Sequence, residues 1–98
     1  MSDDKLLLVF FTSERSGPAR RMESLLAHLA RKERTRVRIM RVEIREQPEL
    51  ARKFRVKDVP TLVLVRRKQV VDRLEGRASA TKIDAMLAGH LPVTTAAA

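Results

Sequence analysis

The chain has no cysteine, tryptophan or tyrosine, and only three phenylalanines, three glycines and four prolines in 98 residues. Without sulfur donors from cysteine, disulfides, thiol–disulfide exchange and thiolate metal ligands are excluded within this chain. The two histidines, His28 and His90, lie too far apart in sequence for a local metal motif, so no metal site and no cofactor is expected. The three aromatics, Phe10, Phe11 and Phe54, all fall in apolar patterns, which leaves no evident platform for stacking bases. The longest apolar run, Leu6 to Phe11, is too short to span a membrane, and Met1–Lys5 is acidic where a secretory leader would be basic. A cytoplasmic protein without membrane attachment is the expectation.

Basic charge is what the chain has in excess. Lys and Arg total 21 against 12 Asp and Glu, for a net charge of +9 and a pI near 11.3. Fifteen of the cations are arginine. That excess has two readings, the base composition of the genome or selection for anion binding, and composition alone does not separate them.

The order of patterns is that of one layered α/β domain. Leu6–Phe11 is apolar at every position, which suits a central strand covered on both faces. The turn Thr12–Arg20 follows. In it Ser16 is placed to cap a helix, and Gly17-Pro18 reads as a tight turn that then sets a helical φ. Met22, Leu25, Leu26, Leu29 and Ala30 recur at helical spacing, giving a helix from about Gly17 to Glu33. Val37–Ile44 is β-branched and reads as a second strand, parallel to the first through a right-handed crossover. Pro48 starts a short helix with Leu50, Ala51 and Phe54 on its apolar face. Leu62–Val65 and Val70–Leu74 read as an antiparallel hairpin, Gly76 turns the chain, and Ser79 caps a last helix carrying Ile83, Met86 and Leu87. Met22, Met40 and Met86 are expected in the core. The expected domain plan is an N-terminal extension over 1–5, one domain over 6–91 and a disordered tail over 92–98.

Three motifs, Ser16-Gly17-Pro18-Ala19 after the first strand, Val59-Pro60-Thr61 before the third, and Gly76 after the fourth, resemble those of the thioredoxin superfamily in order and spacing. The resemblance covers about Leu6 to Leu91. It implies a thioredoxin-like α/β fold, a four-stranded mixed sheet with flanking helices, here lacking the family's usual N-terminal strand and helix. Where that family carries its two cysteines, this chain has Ser16 and Ala19. The family's buried acid falls on Phe10, its exposed Trp on Arg15 and its Asn-Gly hairpin on Arg67-Lys68. The redox machinery is thus missing as a set, and the resemblance implies a non-redox protein with no catalytic residue.

Several residues keep two readings. Ser16 is a helix cap, or the hydroxyl of a glutathione-linked enzyme; no base is evident beside it, which favours the cap. Val59-Pro60 matches the superfamily's cis proline, beside which an extended peptide could add as a strand; otherwise the cis bond is only a requirement of the fold. Arg15 and Arg77 would flank that groove and select an acidic partner, or are simply solvated. The expected site therefore comprises Arg15, Ser16, Gly17, Pro18, Val59, Pro60, Gly76 and Arg77, and the expected partner is a protein or peptide, with an acidic one favoured by charge. A second candidate is the basic surface of Arg20, Arg21, Arg31, Lys32 and Arg34, for which weak, sequence-independent nucleic-acid or polyanion binding is expected.

Overall fold

The computed structural model describes residues 5–91. The expected tail, and all but Lys5 of the expected N-terminal extension, lie outside the described residues. The elements run β1 (Leu6–Thr12), α1 (Gly17–Lys32), β2 (Val37–Glu43), α2 (Pro48–Lys53), β3 (Thr61–Arg66), β4 (Gln69–Glu75) and α3 (Ala80–Ala88). The sheet order is β2-β1-β3-β4. β1 and β2 are parallel, with Leu6 opposite Val37 and Thr12 opposite Glu43. β3 runs antiparallel to both β1 and β4.

The two all-apolar runs occupy the two inner strands, and the alternation of a strand explains why every position is apolar. Leu6, Leu8 and Phe10 of β1, with Leu62 and Leu64 of β3, face α1 and α3 and meet Met22, Leu26, Leu29, Ile83 and Leu87. Val9 and Phe11, with Val63 and Val65, face the other way, into a smaller cluster under α2. There Phe11 and Phe54 pack as a tilted pair with ring centroids 5.7 Å apart.

Local chemistry sets the element ends. Ser16 accepts a hydrogen bond from the Ala19 N–H at 3.1 Å and Ser79 from the Lys82 N–H at 3.1 Å, so both expected caps form. Helix α2 closes in a paired C-terminal arrangement: the Val56 N–H donates to the Ala51 carbonyl at 2.8 Å and the Arg55 N–H to the Arg52 carbonyl at 3.0 Å. This places Arg55 at φ 57°, a position that glycine fills more readily. The β3–β4 loop is only Arg67-Lys68, both left-handed at φ 52° and 69°. That is the two-residue hairpin turn usually made by Asn-Gly, formed here by two long side chains.

Two expectations need correction. Met40 is 37% exposed on β2 rather than part of the core, because α2 is only six residues long and leaves that end of the sheet face open. Gly17 does not make a tight turn. It is the first residue of α1, outside the left-handed region, and a Cβ there would meet no atom within 4 Å.

Candidate functional site

The strand directions bring four chain segments to one end of the sheet. β1 ends there and passes into the Ser13–Ser16 turn, and β2 ends there at Glu43. Antiparallel β3 begins there after Val59-Pro60, and β4 ends there before Gly76-Arg77. The expected site residues are therefore gathered at one rim. The Gly76 N–H donates to the Pro60 carbonyl at 2.8 Å, which joins two of the three motifs directly. Gly76 has φ 87°, so this turn does require glycine.

The Val59-Pro60 bond is cis, as the resemblance implied. Val59 is half-buried, and neither its N–H nor its carbonyl has a hydrogen-bond partner among the described residues. Just beyond Pro60, the Thr61 hydroxyl donates to the Asp58 carbonyl at 2.8 Å and fixes the approach to β3.

The Ser13–Ser16 turn is tied internally. The Ser16 N–H donates to the Ser13 carbonyl at 2.9 Å, and the Arg15 N–H donates to the Ser13 hydroxyl at 3.2 Å. Ser16 is half-buried; Arg15, Gly17 and Pro18 are exposed. No hydrogen bond among the described residues links this turn to Val59-Pro60. Two concavities open at the rim. One, about 610 Å³, is lined by Arg55, Lys57, Asp58, Thr61, Arg73, Glu75 and Gly76. The other, about 280 Å³, is lined by Glu14, Arg15, Glu43, Arg45 and Glu46. Each takes in one member of the expected set, Gly76 and Arg15 respectively.

Two residues at this rim escaped the sequence reading. Glu43 is only 6% exposed. One carboxylate oxygen accepts from the Glu14 N–H at 3.1 Å and the other from the Arg45 N–H at 3.2 Å, so one side chain clamps the Ser16 turn to the β2–α2 connection. Phe10, the position on which the family's buried acid falls, is 2% exposed; among the described residues the buried carboxylate, Glu43, lies on the neighbouring strand. Its signal in sequence is a single charge between Val42 and Ile44. The second residue is Arg73 of β4. Its guanidinium donates to the Phe54 carbonyl at 2.9 Å and the Arg55 carbonyl at 3.2 Å, and it pairs with Glu75 at 3.3 Å. It thus satisfies carbonyls at the end of α2.

The basic surface lies on α1 and just after it, and part of it is neutralised. Lys32 pairs with Asp84 at 3.6 Å, whereas Arg20, Arg21, Arg31 and Arg34 have no acidic partner among the described residues. Arg36 and Arg41, which extend this charge toward β2, pair with Glu33 at 2.7 Å and Glu23 at 3.2 Å.

Comparison with known proteins places this arrangement. The thioredoxin family model matches residues 1–89. Thioredoxin-1 of Drosophila yakuba is 31% identical over 75 residues, a stretch covering 76% of this chain and 70% of that protein. Thioredoxin H4 of Arabidopsis thaliana is 31% identical over 93 residues, covering 95% and 77%. Among solved structures, the germline-specific thioredoxin Deadhead of Drosophila melanogaster superposes with a TM-score of 0.83 at 30% identity, covering 89% of this chain and 82% of that one. Fasciola hepatica thioredoxin does so with 0.82 at 31% identity, covering 90% and 83%. With the four-stranded mixed sheet, the Ser16-Gly17-Pro18-Ala19 turn and the cis Val59-Pro60 bond all in their expected places, this cysteine-free chain belongs to the thioredoxin family.

Proposed function

We propose that this chain is a non-redox binding module, an adaptor or a subunit of a larger assembly, that takes an extended protein or peptide segment along the rim at Ser16 and Pro60. The observation that carries this reading is Val59, a half-buried residue whose N–H and carbonyl have no hydrogen-bond partner among the described residues. Such a residue gains from a strand-like partner, which can supply both missing hydrogen bonds. Exposed Arg15, Lys57 and Arg77 stand on the segments around it, interleaved with exposed Glu14, Asp58 and Glu75, and offer an acidic segment its contacts there. The lack of cysteine leaves this chain no thiol for disulfide exchange.

The test is affinity capture from the native host, followed by titration of the captured partner against Val59→Lys, Arg77→Glu and, as a control away from the rim, Arg31→Ala. The rim variants should lose the partner while Arg31→Ala keeps it. Turnover of insulin disulfides above the background of the thiol donor would contradict the non-redox reading.

A second reading, polyanion binding through α1, is favoured by Arg20, Arg21, Arg31 and Arg34, which have no acidic partner among the described residues. Loss of the partner with Arg31→Ala and Arg34→Ala, but not with the rim variants, would put it first.

A further inference from the structure

The outer edge of β2 carries a set of open backbone groups that fits one particular occupant. Parallel pairing with β1 turns alternate β2 residues inward: the Leu6 N–H donates to the Arg36 carbonyl, and the Ile44 N–H donates to the Thr12 carbonyl. With Leu6 opposite Val37 and Thr12 opposite Glu43, the even-numbered residues of β2 bond to β1. Val37, Ile39, Arg41 and Glu43 therefore point their backbone groups outward, and no described segment pairs with that edge. Two of these groups are already used. The Val37 N–H donates to the Glu33 carbonyl at 2.8 Å, and the Glu43 carbonyl accepts from the Glu46 and Gln47 N–H groups at 3.0 Å each. What remains without a partner among the described residues is the N–H of Ile39, Arg41 and Glu43 and the C=O of Val37, Ile39 and Arg41.

We infer that this edge is a self-association site, at which β2 pairs antiparallel with β2 of a second copy about a twofold axis through Met40. In that register Ile39 faces Arg41 of the second copy, and they exchange two hydrogen bonds. The Glu43 N–H meets the Val37 carbonyl of the second copy, and the twofold axis repeats both sets. Every open group is paired. The only bond the register lacks would join the Val37 N–H to the Glu43 carbonyl, the two groups each chain already uses. Centring one residue earlier sets the Arg41 carbonyl against the engaged Val37 N–H. Centring one residue later sets the Ile39 N–H against the engaged Glu43 carbonyl.

The side chains fit the same register. Met40, one of two large hydrophobic side chains exposed among the described residues, meets its own copy across the axis. Arg38 falls opposite Val42, and Arg41 opposite Ile39, so no two arginines stand directly opposed. Charge favours the same direction. Exposed Arg34 and Arg38 stand at the start of β2, and exposed Glu46 and Glu49 follow its end with one intervening cation, Arg45, so antiparallel pairing brings unlike ends together. A twofold contact closes on itself and gives a dimer rather than a filament.

The interface is small, so the mass should be followed by light scattering and sedimentation up to concentrations on the order of 100 µM. A dimer should appear over that range. Met40→Lys, which sets two ammonium groups face to face, should raise its dissociation constant by about tenfold or more while the far-ultraviolet circular dichroism stays unchanged. Met40→Cys places the only two thiols of the pair opposite one another and should form an intermolecular disulfide on mild oxidation. Arg38→Cys, whose opposite residue is Val42, should not, because its two thiols would lie beyond bridging reach. A monomer at every concentration would overturn the inference. So would a dimer indifferent to Met40→Lys, or equal cross-linking of the two cysteine variants.

Discussion

Removing the Glu43 carboxylate should loosen the rim and cost the fold a measurable part of its stability. The side chain is 6% exposed and its two oxygens hold the Glu14 and Arg45 N–H groups at 3.1 and 3.2 Å. A hydrogen bond to a charged group contributes about 1.5–3 kcal/mol. Both distances are at the long end for such bonds, and both donors belong to exposed residues, so water recovers part of the loss when the acceptor goes. Glu43→Ala should therefore cost about 2–3 kcal/mol in all. Glu43→Gln keeps one oxygen but turns an NH₂ group toward the other donor, and should cost about 1–2 kcal/mol. In urea titrations the midpoint should fall without a change in slope, and in a domain of this size the Ala variant should melt on the order of 10 °C lower. Amide hydrogen exchange adds a local readout, since the Glu14 and Arg45 amides should lose protection while those of β3 keep theirs relative to the new global stability. A Glu43→Ala protein within about 0.5 kcal/mol of the parent, the size of an ordinary surface substitution, with unchanged exchange at Glu14, would refute the clamp.

Three further outcomes are expected. Lys68→Gly should stabilise the protein by about 1 kcal/mol in the same urea titration, because Lys68 sits at φ 69° in the hairpin loop and glycine adopts that conformation without strain. Ser16→Ala should cost about 1 kcal/mol for the lost cap, and the parent protein should show no saturable glutathione binding by calorimetry; saturable binding that Ser16→Ala abolishes would revive an enzymatic reading. Binding to unrelated single- and double-stranded nucleic acids should be weak, alike for all sequences and lost as salt rises, and discrimination between sequences at high salt would contradict a merely basic surface.

The elements were legible in the sequence where local chemistry decides them. Ser16 and Ser79 announce helix starts by their position before apolar stripes, and both caps form. The continuous apolar run Leu6–Phe11 marked β1 as an inner strand, and the sheet order places it there. Tertiary distances were harder to read. Met40 shares its sheet face with buried Val42, two positions on, and the short length of α2 leaves it exposed there. Glu43 shows in sequence only as a single charge between Val42 and Ile44. Its burial depends on the Glu14 and Arg45 amides, and Glu14 reaches it across 29 positions of sequence. The rim motifs could be aligned as a resemblance, yet what they do together depends on the pairing of β3 with its two neighbours, which no local pattern states.

The sheet order also constrains how the chain is made. β1 and β2 become neighbours through a local crossover, but the other side of β1 waits for β3, with Phe11 opposite Thr61 and Leu7 opposite Val65. During synthesis from the N-terminus, a chain that has emerged only as far as α2 therefore holds a fully apolar strand with one edge unpaired. An unpaired apolar edge invites association with other chains, and pairing over such a separation is slow. The interval between the emergence of Phe11 and that of Val65 is thus the period in which a nascent copy is most exposed to aggregation, and in which a chaperone that shields strand edges would have the greatest effect on yield.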